Sequence, residues 1–402
     1  MGPHKFMIKL KKDQIALCCI SLAWFLILSG RYSISNLLPE ISSELNFSWT
    51  EAGIALTAMW LFYAMMQFPS GIFSDIKGRK ISIIFAMALF TLSYFLVGIA
   101  NHYITFLLAL ILLGIGTGSY PSAGISMITD IFRENKGKAL GIRSSAGSLA
   151  YAVPLFAAAI AGYFVWRSFF FIWGAVCIFS ILLFYKGTQE TTKLPEVFSI
   201  KERVVDGVKV FKRPTVQVMF IINLLIAIAW ISYMSFFQPY LSTEKGMSPL
   251  VAGGAFLFLG VCGFIFKPFI GSFSDKYNKK AIILLLSLAT GIGTLIFVFA
   301  ESIWVIFIVL PVLSLSTAIF PIISSYLMDQ WEEKGRAGKL GFYRSALIML
   351  SSPIATYFGF VGDEFGSFDF AFITISVVLF IAVLFLIINL IYDRYKSNKN
   401  SS

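Results

Sequence analysis

Apolar runs of about 20 residues recur along the whole of this chain, and they limit what it can fold into. Because hydrocarbon offers no hydrogen-bonding partner, a run crossing a membrane must satisfy its backbone groups internally, as a helix does. The alternating pattern of a membrane β-barrel is absent from the sequence. Only 13% of the residues are charged, against roughly a quarter in a soluble domain. The sequence therefore predicts an all-α polytopic membrane protein.

Twelve membrane spans can be placed by length and hydropathy. They cover residues 14–37, 50–73, 80–100, 103–131, 137–163, 167–186, 215–241, 248–273, 280–299, 302–330, 337–361 and 368–392. The one long polar segment lies between the sixth and seventh spans. The chain is thus predicted to hold an N-terminal six-helix bundle, a cytoplasmic linker and a C-terminal six-helix bundle, over residues 1–186, 187–214 and 215–402.

The basic residues indicate the orientation in the membrane. If both termini are cytoplasmic, 26 of the 32 Lys and Arg lie on the inner side, and the outer loops hold only Arg167 and Lys245. We therefore expect an integral protein of the cytoplasmic membrane with both termini inside. The net charge of +11 is spread over short clusters rather than one basic face, which argues against nucleic-acid binding.

A ten-residue motif occurs once in each half of the chain. Residues 71–80 read GIFSDIKGRK and residues 271–280 read GSFSDKYNKK. Two prolines, Pro121 and Pro321, are also 200 residues apart, in the fourth and tenth spans. Doubling of a bundle of membrane helices is a design of secondary transporters.

Six-helix halves joined by a cytoplasmic linker resemble the major facilitator superfamily over the whole chain. The resemblance implies that the repeated loop is a latch that holds the outward-open state. The implied latch residues are Gly71, Asp75, Gly78, Arg79, Lys80 and Asp130 in the first half, and Gly271, Asp275, Lys279 and Asp329 in the second. A merely topological basic loop is the alternative interpretation.

Each latch residue has an expected physical role. Gly71 is expected to let its helix approach a neighbour closely, and Gly78 to permit a sharp turn. Arg79 is expected to pair with Asp130. In the second copy Asn278 stands in place of the glycine, so a looser latch is expected there.

Two other patterns of the superfamily are only partly kept. The fourth span has Leu110 where the superfamily often places an arginine that is linked to proton coupling. The fifth span lacks the glycine before Pro154 that is typical of drug–proton antiporters. These departures weaken the proton-coupled and drug-exporter interpretations.

Four cations lie inside predicted spans, while no acid lies in mid-membrane. A charged side chain there costs at least a few kcal/mol and indicates a functional site. The four cations are Arg31, Arg143, Lys267 and Arg344. Each also has a structural alternative. Arg31 could contact Glu40, Arg143 and Arg344 could contact acids at the inner face, and Lys267 could join the second latch.

The first two spans resemble the organic anion–cation symporter branch, in which the arginine corresponding to Arg31 faces the substrate. Aromatic and amide residues of several spans are further candidates for the substrate cavity. They are Tyr32, Tyr63, Gln67, Tyr233, Gln238 and Tyr343.

The sequence thus predicts a transporter that moves a small organic anion, such as a carboxylate, a sugar acid or an organophosphate, by alternating access. An exporter of lipophilic or drug-like compounds is the main alternative, and a membrane sensor on a transporter fold is another. An enzyme is not expected, because no metal cluster and no nucleophile–base pair is found. We expect a monomer in the lipid bilayer without cofactor or metal; coupling to a proton or sodium ion stays open.

Overall fold

The computed structural model describes residues 12–191, 205, 207–331 and 336–401. Within these ranges twelve helices are long and apolar enough to cross a membrane, which confirms the predicted number of spans. They are α1 (Lys12–Leu45), α2 (Trp49–Lys77), α3 (Arg79–Gly98), α4 (Tyr103–Ile131), α5 (Lys136–Tyr163), α6 (Trp166–Gly187), α7 (Pro214–Thr243), α8 (Pro249–Lys276), α9 (Lys279–Phe299), α10 (Ile303–Asp329), α11 (Lys339–Phe365) and α12 (Asp369–Tyr395). Two of these helices extend further: α11 begins at Arg336 and α12 continues to Ser401. Most of the predicted linker lies outside the described residues.

The end predicted for the first span was wrong, because α1 continues through Pro39 to Leu45. Proline lacks a backbone N–H, but membrane helices tolerate it where neighbouring groups satisfy the freed backbone. The helix is not interrupted at this residue. Pro239 lies inside α7 in the same way, 200 residues later.

The tight connections at the inner side are made differently in the two halves. Between α2 and α3 stands Gly78 with φ of +104°, a conformation that strains any residue with a Cβ. The equivalent Asn278 has an ordinary φ of −62° and instead caps α9, accepting from the Lys280 backbone N–H at 2.9 Å. A side-chain cap thus replaces the glycine turn.

The helices pack into two halves of six. In the N-terminal half (α1–α6), α4 packs along α2 and α3, and α6 packs on α3 and α1. In the C-terminal half (α7–α12), α9 packs on α12 and α10, and α12 also contacts α7. Large apolar side chains such as Phe179, Phe269 and Trp304 are exposed on the outside, as expected of surface that faces lipid.

The two halves meet along the ends of the helices that carry residues 49 and 365, here called the outer side. Gly53 of α2 lies against the α11 backbone, where an added Cβ would be 2.9 Å from the Thr356 Cα. Gly253 of α8 lies equally close to the Leu155 Cα of α5. The opposite, inner side carries the repeated loops, and there α4 and α5 make little contact with α10 and α11. Toward this side α2 and α11 still touch through the Phe68 and Phe342 rings, whose centres are 5.7 Å apart, so contact between the halves continues there along these two helices.

Candidate substrate site and gates

Arg31 lies in the middle of α1 and is buried, with 4% of its surface exposed. Its guanidinium carbon is 3.9 Å from the centre of the Trp60 ring and 4.8 Å from that of Tyr63, both on α2. Its Nε and Nη1 have no hydrogen-bond partner among the described residues, and the expected contact with Glu40 is not made. A buried cation with free donors is costly unless an anion neutralises it.

Arg143 repeats this arrangement on α5, nearer the inner side. It is 7% exposed, and its guanidinium carbon lies 4.1 Å from the Trp24 ring and 5.6 Å from the Tyr120 ring. Its Nε and Nη2 also lack a hydrogen-bond partner within the described part of the chain. The alternative of an ion pair with an inner-face acid is therefore not realised.

The two arginines belong to one region of the N-terminal half. Trp24, which contacts Arg143, precedes Arg31 by seven residues, two turns of the same helix. On the other side, Tyr63 contacts Arg31 and its backbone packs against Gly118 of α4, two residues from Tyr120. The sequence did not single out Trp24, although its seven-residue spacing from Arg31 places both on one face of α1.

A layer of aromatic contacts between the halves closes the site toward the outer side. The Trp60 indole N–H donates to the Ser235 hydroxyl of α7 at 3.1 Å, and Trp60 also meets the Trp230 ring at 5.3 Å. Tyr32 packs on Phe256 of α8 with ring centres 5.2 Å apart. Trp60 therefore contacts both Arg31 and the opposite half.

The other two predicted cations belong to the C-terminal half and are less buried. Arg344 of α11 is exposed, and its charge is close enough to repel that of Arg143. Lys267 of α8 is half-buried. Neither makes an ion pair or hydrogen bond with the described residues.

The other predicted cavity residues divide into two groups. Tyr233 and Tyr343 are buried in the packing of the C-terminal half, and their hydroxyls contact Thr294 and the Met219 carbonyl, respectively. Gln67 and Gln238 each keep an amide nitrogen without a partner among the described residues. The structure brings Tyr63 to Arg31, places the Tyr32 ring against Tyr151 and Phe256, and leaves Tyr233 and Tyr343 in the core.

The first repeated loop forms a polar network at the inner side. Arg79 bonds to Asp75, and its Nε lies 3.5 Å from an Asp130 oxygen. The carboxylate of Glu190 accepts from the backbone N–H groups of Arg79 and Lys80 at 2.8 and 3.0 Å. Glu190, which sequence reasoning missed, thus caps the first turn of α3.

The second loop also holds two ion pairs: the Lys279 Nζ lies 2.6 Å from an Asp329 oxygen, and the buried Lys280 Nζ lies 2.6 Å from an Asp393 oxygen. Asp275 is exposed. The close helix approach expected at Gly71 was wrong: a Cβ there would meet only Ser122, at an ordinary 3.6 Å. At Gly271 nothing lies within 4 Å. The close approaches between the two halves lie at the outer side instead.

Asp363 connects the two halves at the outer surface. Its carboxylate, on α11, accepts from the backbone N–H groups of Trp49 and Thr50 at 2.9 and 2.7 Å. These N–H groups begin α2 and have no partner within their own helix. Below them, the Thr57 and Thr356 hydroxyls are hydrogen-bonded at 2.8 Å.

Two repeated halves of six membrane helices, with buried arginines that have no acidic partner among the described residues, are typical of a secondary transporter. The chain belongs to the Major Facilitator Superfamily, whose model matches residues 20–261 and 219–402. It is accordingly an integral membrane transporter and not an enzyme.

Comparisons with known proteins support the same class. The chain is 24% identical to the hexuronate transporter of Bacillus subtilis (strain 168), over 87% of this chain and 89% of that protein. It is also 24% identical to a probable sugar efflux transporter of Helicobacter pylori (strain ATCC 700392 / 26695), over 72% of this chain and 73% of that protein. A probable L-galactonate transporter of Escherichia coli (strain K12) is 30% identical over 38% of this chain and 34% of its own.

Among solved structures, the fold is similar to that of a bacterial homolog to the human lysosomal transporter Spinster, in an inward-facing and unoccupied conformation. The TM-score is 0.74, with 16% identity and 96% of each chain covered. This likeness shows the fold alone.

Proposed function

We propose that this transporter carries a small organic anion, and that Arg31 binds its anionic group. The observation that carries the proposal is the burial of Arg31 with Nε and Nη1 unpartnered among the described residues. These donors suit a carboxylate or phosphate, which accepts two parallel hydrogen bonds from one guanidinium group. The transport of a hexuronate by one relative supports an acidic substrate.

The positions of the acidic residues in the described spans argue against a cationic substrate and so favour this proposal over export of cationic compounds. A cation site needs a buried carboxylate, whereas each of these acids lies within about two turns of a helix end. Glu51, an acid at a helix end, is used in a capping box with Ser48. Asp130 accepts from Thr191 at 3.1 Å and faces Arg79. No described carboxylate is thus placed for proton coupling in the middle of the spans.

We further propose that the inner side faces the cytoplasm and that the inner loops act as latches. The excess of Lys and Arg at this side supports the orientation. The network of Asp75, Arg79, Asp130 and Glu190 would hold the loop while the halves move. The second loop would be held by the ion pairs of Lys279 with Asp329 and of Lys280 with Asp393, and a looser second latch stays a prediction.

Counterflow in proteoliposomes tests the anion proposal. Purified protein is assayed with a panel of organic anions, neutral sugars and organic cations. Arg31→Gln is expected to abolish anion uptake, and Arg31→Lys to restore part of it, because lysine keeps the charge but loses the two parallel hydrogen bonds. Arg394→Gln, which removes an exposed arginine near the end of α12, is the matched control.

The outcome separates the candidate functions. Uptake of neutral sugars alone would support the function of the sugar efflux relative. Uptake of cations alone, or full anion uptake by Arg31→Gln, would contradict the proposal.

A further inference from the structure

The N-terminal half contains two buried arginines of the same kind, and a single anionic group can neutralise only one of them. Arg31 and Arg143 are both more than nine-tenths buried. Each has two guanidinium nitrogens without a hydrogen-bond partner in the described residues. Each rests on an aromatic face, which partly stabilises a cation, and Arg143 also has a hydrogen bond to the Tyr120 hydroxyl.

The spacing of the two arginines follows from α1. Arg143 lies over Trp24, and Arg31 follows Trp24 by seven residues, roughly 10 Å along the helix axis. The two guanidinium groups therefore contact different positions along α1, and a molecule with an anionic group at each end can offer one group to each of them.

Charge balance favours two anionic groups over one. A monoanion on Arg31 leaves the guanidinium group of Arg143 buried and unpaired, next to the like charge of Arg344. A second anionic group neutralises it and supplies acceptors for its free N–H groups.

We propose that the substrate is a compact dianion with an anionic group at each end, one bound by Arg31 and the other by Arg143. This inference rests on the proposed function and narrows its substrate class. Arg31 binds the group that lies next to Trp60, and Arg143 binds the group that lies next to Trp24, nearer the inner side.

Competition in the counterflow assay tests the inference with pairs of acids of matched length. The pairs are succinate with butyrate, adipate with hexanoate, and galactarate with galacturonate. In the wild-type protein the best diacid is expected to compete about tenfold or more strongly than its monoacid partner. Arg143→Gln is expected to weaken diacid competition much more than monoacid competition, and Arg143→Lys to restore part of the preference.

Each result has a defined meaning. Monoacids that compete as strongly as their diacids would overturn the inference and leave the anion function standing. An equal loss for both members of every pair in Arg143→Gln would also overturn it, since that pattern indicates a structural role. If no anion competes, the proposed function fails together with the inference. Arg394→Gln serves again as the control for removal of an exposed arginine.

Discussion

Asp363→Asn is expected to weaken the closure of the outer side. Aspartate at this position accepts from two backbone N–H groups at the start of α2, those of Trp49 and Thr50. Asparagine keeps one acceptor oxygen and replaces the other with an amide group that only donates. One N–H group of α2 therefore loses its partner, and the charge that faces the helix N-terminus is removed.

The size of the effect follows from these two losses. A hydrogen bond to a charged group contributes about 1.5–3 kcal/mol, and a charge at a helix N-terminus about 0.3–1 kcal/mol. Because Asp363 is exposed to water, the lower part of this range applies, about 1–2 kcal/mol in total. That free energy corresponds to roughly a 5- to 30-fold change in the ratio of outer-closed to outer-open molecules.

Spin labels on the outer loops measure this ratio. Asn101 and Glu301 are exposed, lie in opposite halves and are 200 residues apart, so a pair of labels there reports separation of the outer ends. The four native cysteines are replaced first. Asp363→Asn is expected to shift the distance distribution toward longer values, whereas the neighbouring exposed Glu364→Gln is the control. An unchanged distribution in Asp363→Asn would refute the reasoning.

Two glycine substitutions test other parts of the structure. Gly253→Ala is expected to push α8 away from the α5 backbone, since its Cβ would lie 2.9 Å from a backbone atom. The distance between the spin labels at Asn101 and Glu301 should then increase. Gly254→Ala, whose Cβ would have its nearest contact at 4.0 Å, is the control. Gly78→Ala is expected to lower the unfolding temperature in detergent, because φ of +104° with ψ of +153° imposes about 1–3 kcal/mol of backbone strain on a residue with a Cβ, which would also meet the Glu190 carboxylate. Gly271→Ala, the control, adds its Cβ to open space. Equal effects of a variant and its control would contradict either expectation.

The candidate site shows how far sequence reasoning reaches in a membrane protein. The presence of Arg31 and Arg143 in apolar spans, and their depth along those spans, follow from residue number and helix rise. Their neighbours do not follow, because spans that are apolar on all sides give no periodic pattern that marks a buried face. For this reason Tyr233 and Tyr343 were grouped with Tyr63 as cavity candidates.

Contacts between helices that are far apart along the chain could not be predicted from the sequence either. Asp363 lies just beyond the predicted eleventh span, and its partners on α2 are 313 and 314 residues away along the chain. Glu190 was assigned to the linker, although it caps α3 across 110 residues. In both cases a backbone N–H group is the partner, and such groups carry no residue type that a sequence pattern can match.

By itself, the sequence determined the twelve spans, the doubling of the chain and the presence of cations without acids in mid-membrane, because hydrocarbon imposes its cost on each span separately. Only the tertiary structure decided which cations stay unpaired, which side of the molecule is closed and which glycines lie at the contact between the halves. Those properties depend on how the helices turn and pack against one another, and helices that are apolar all round can pack in more than one way.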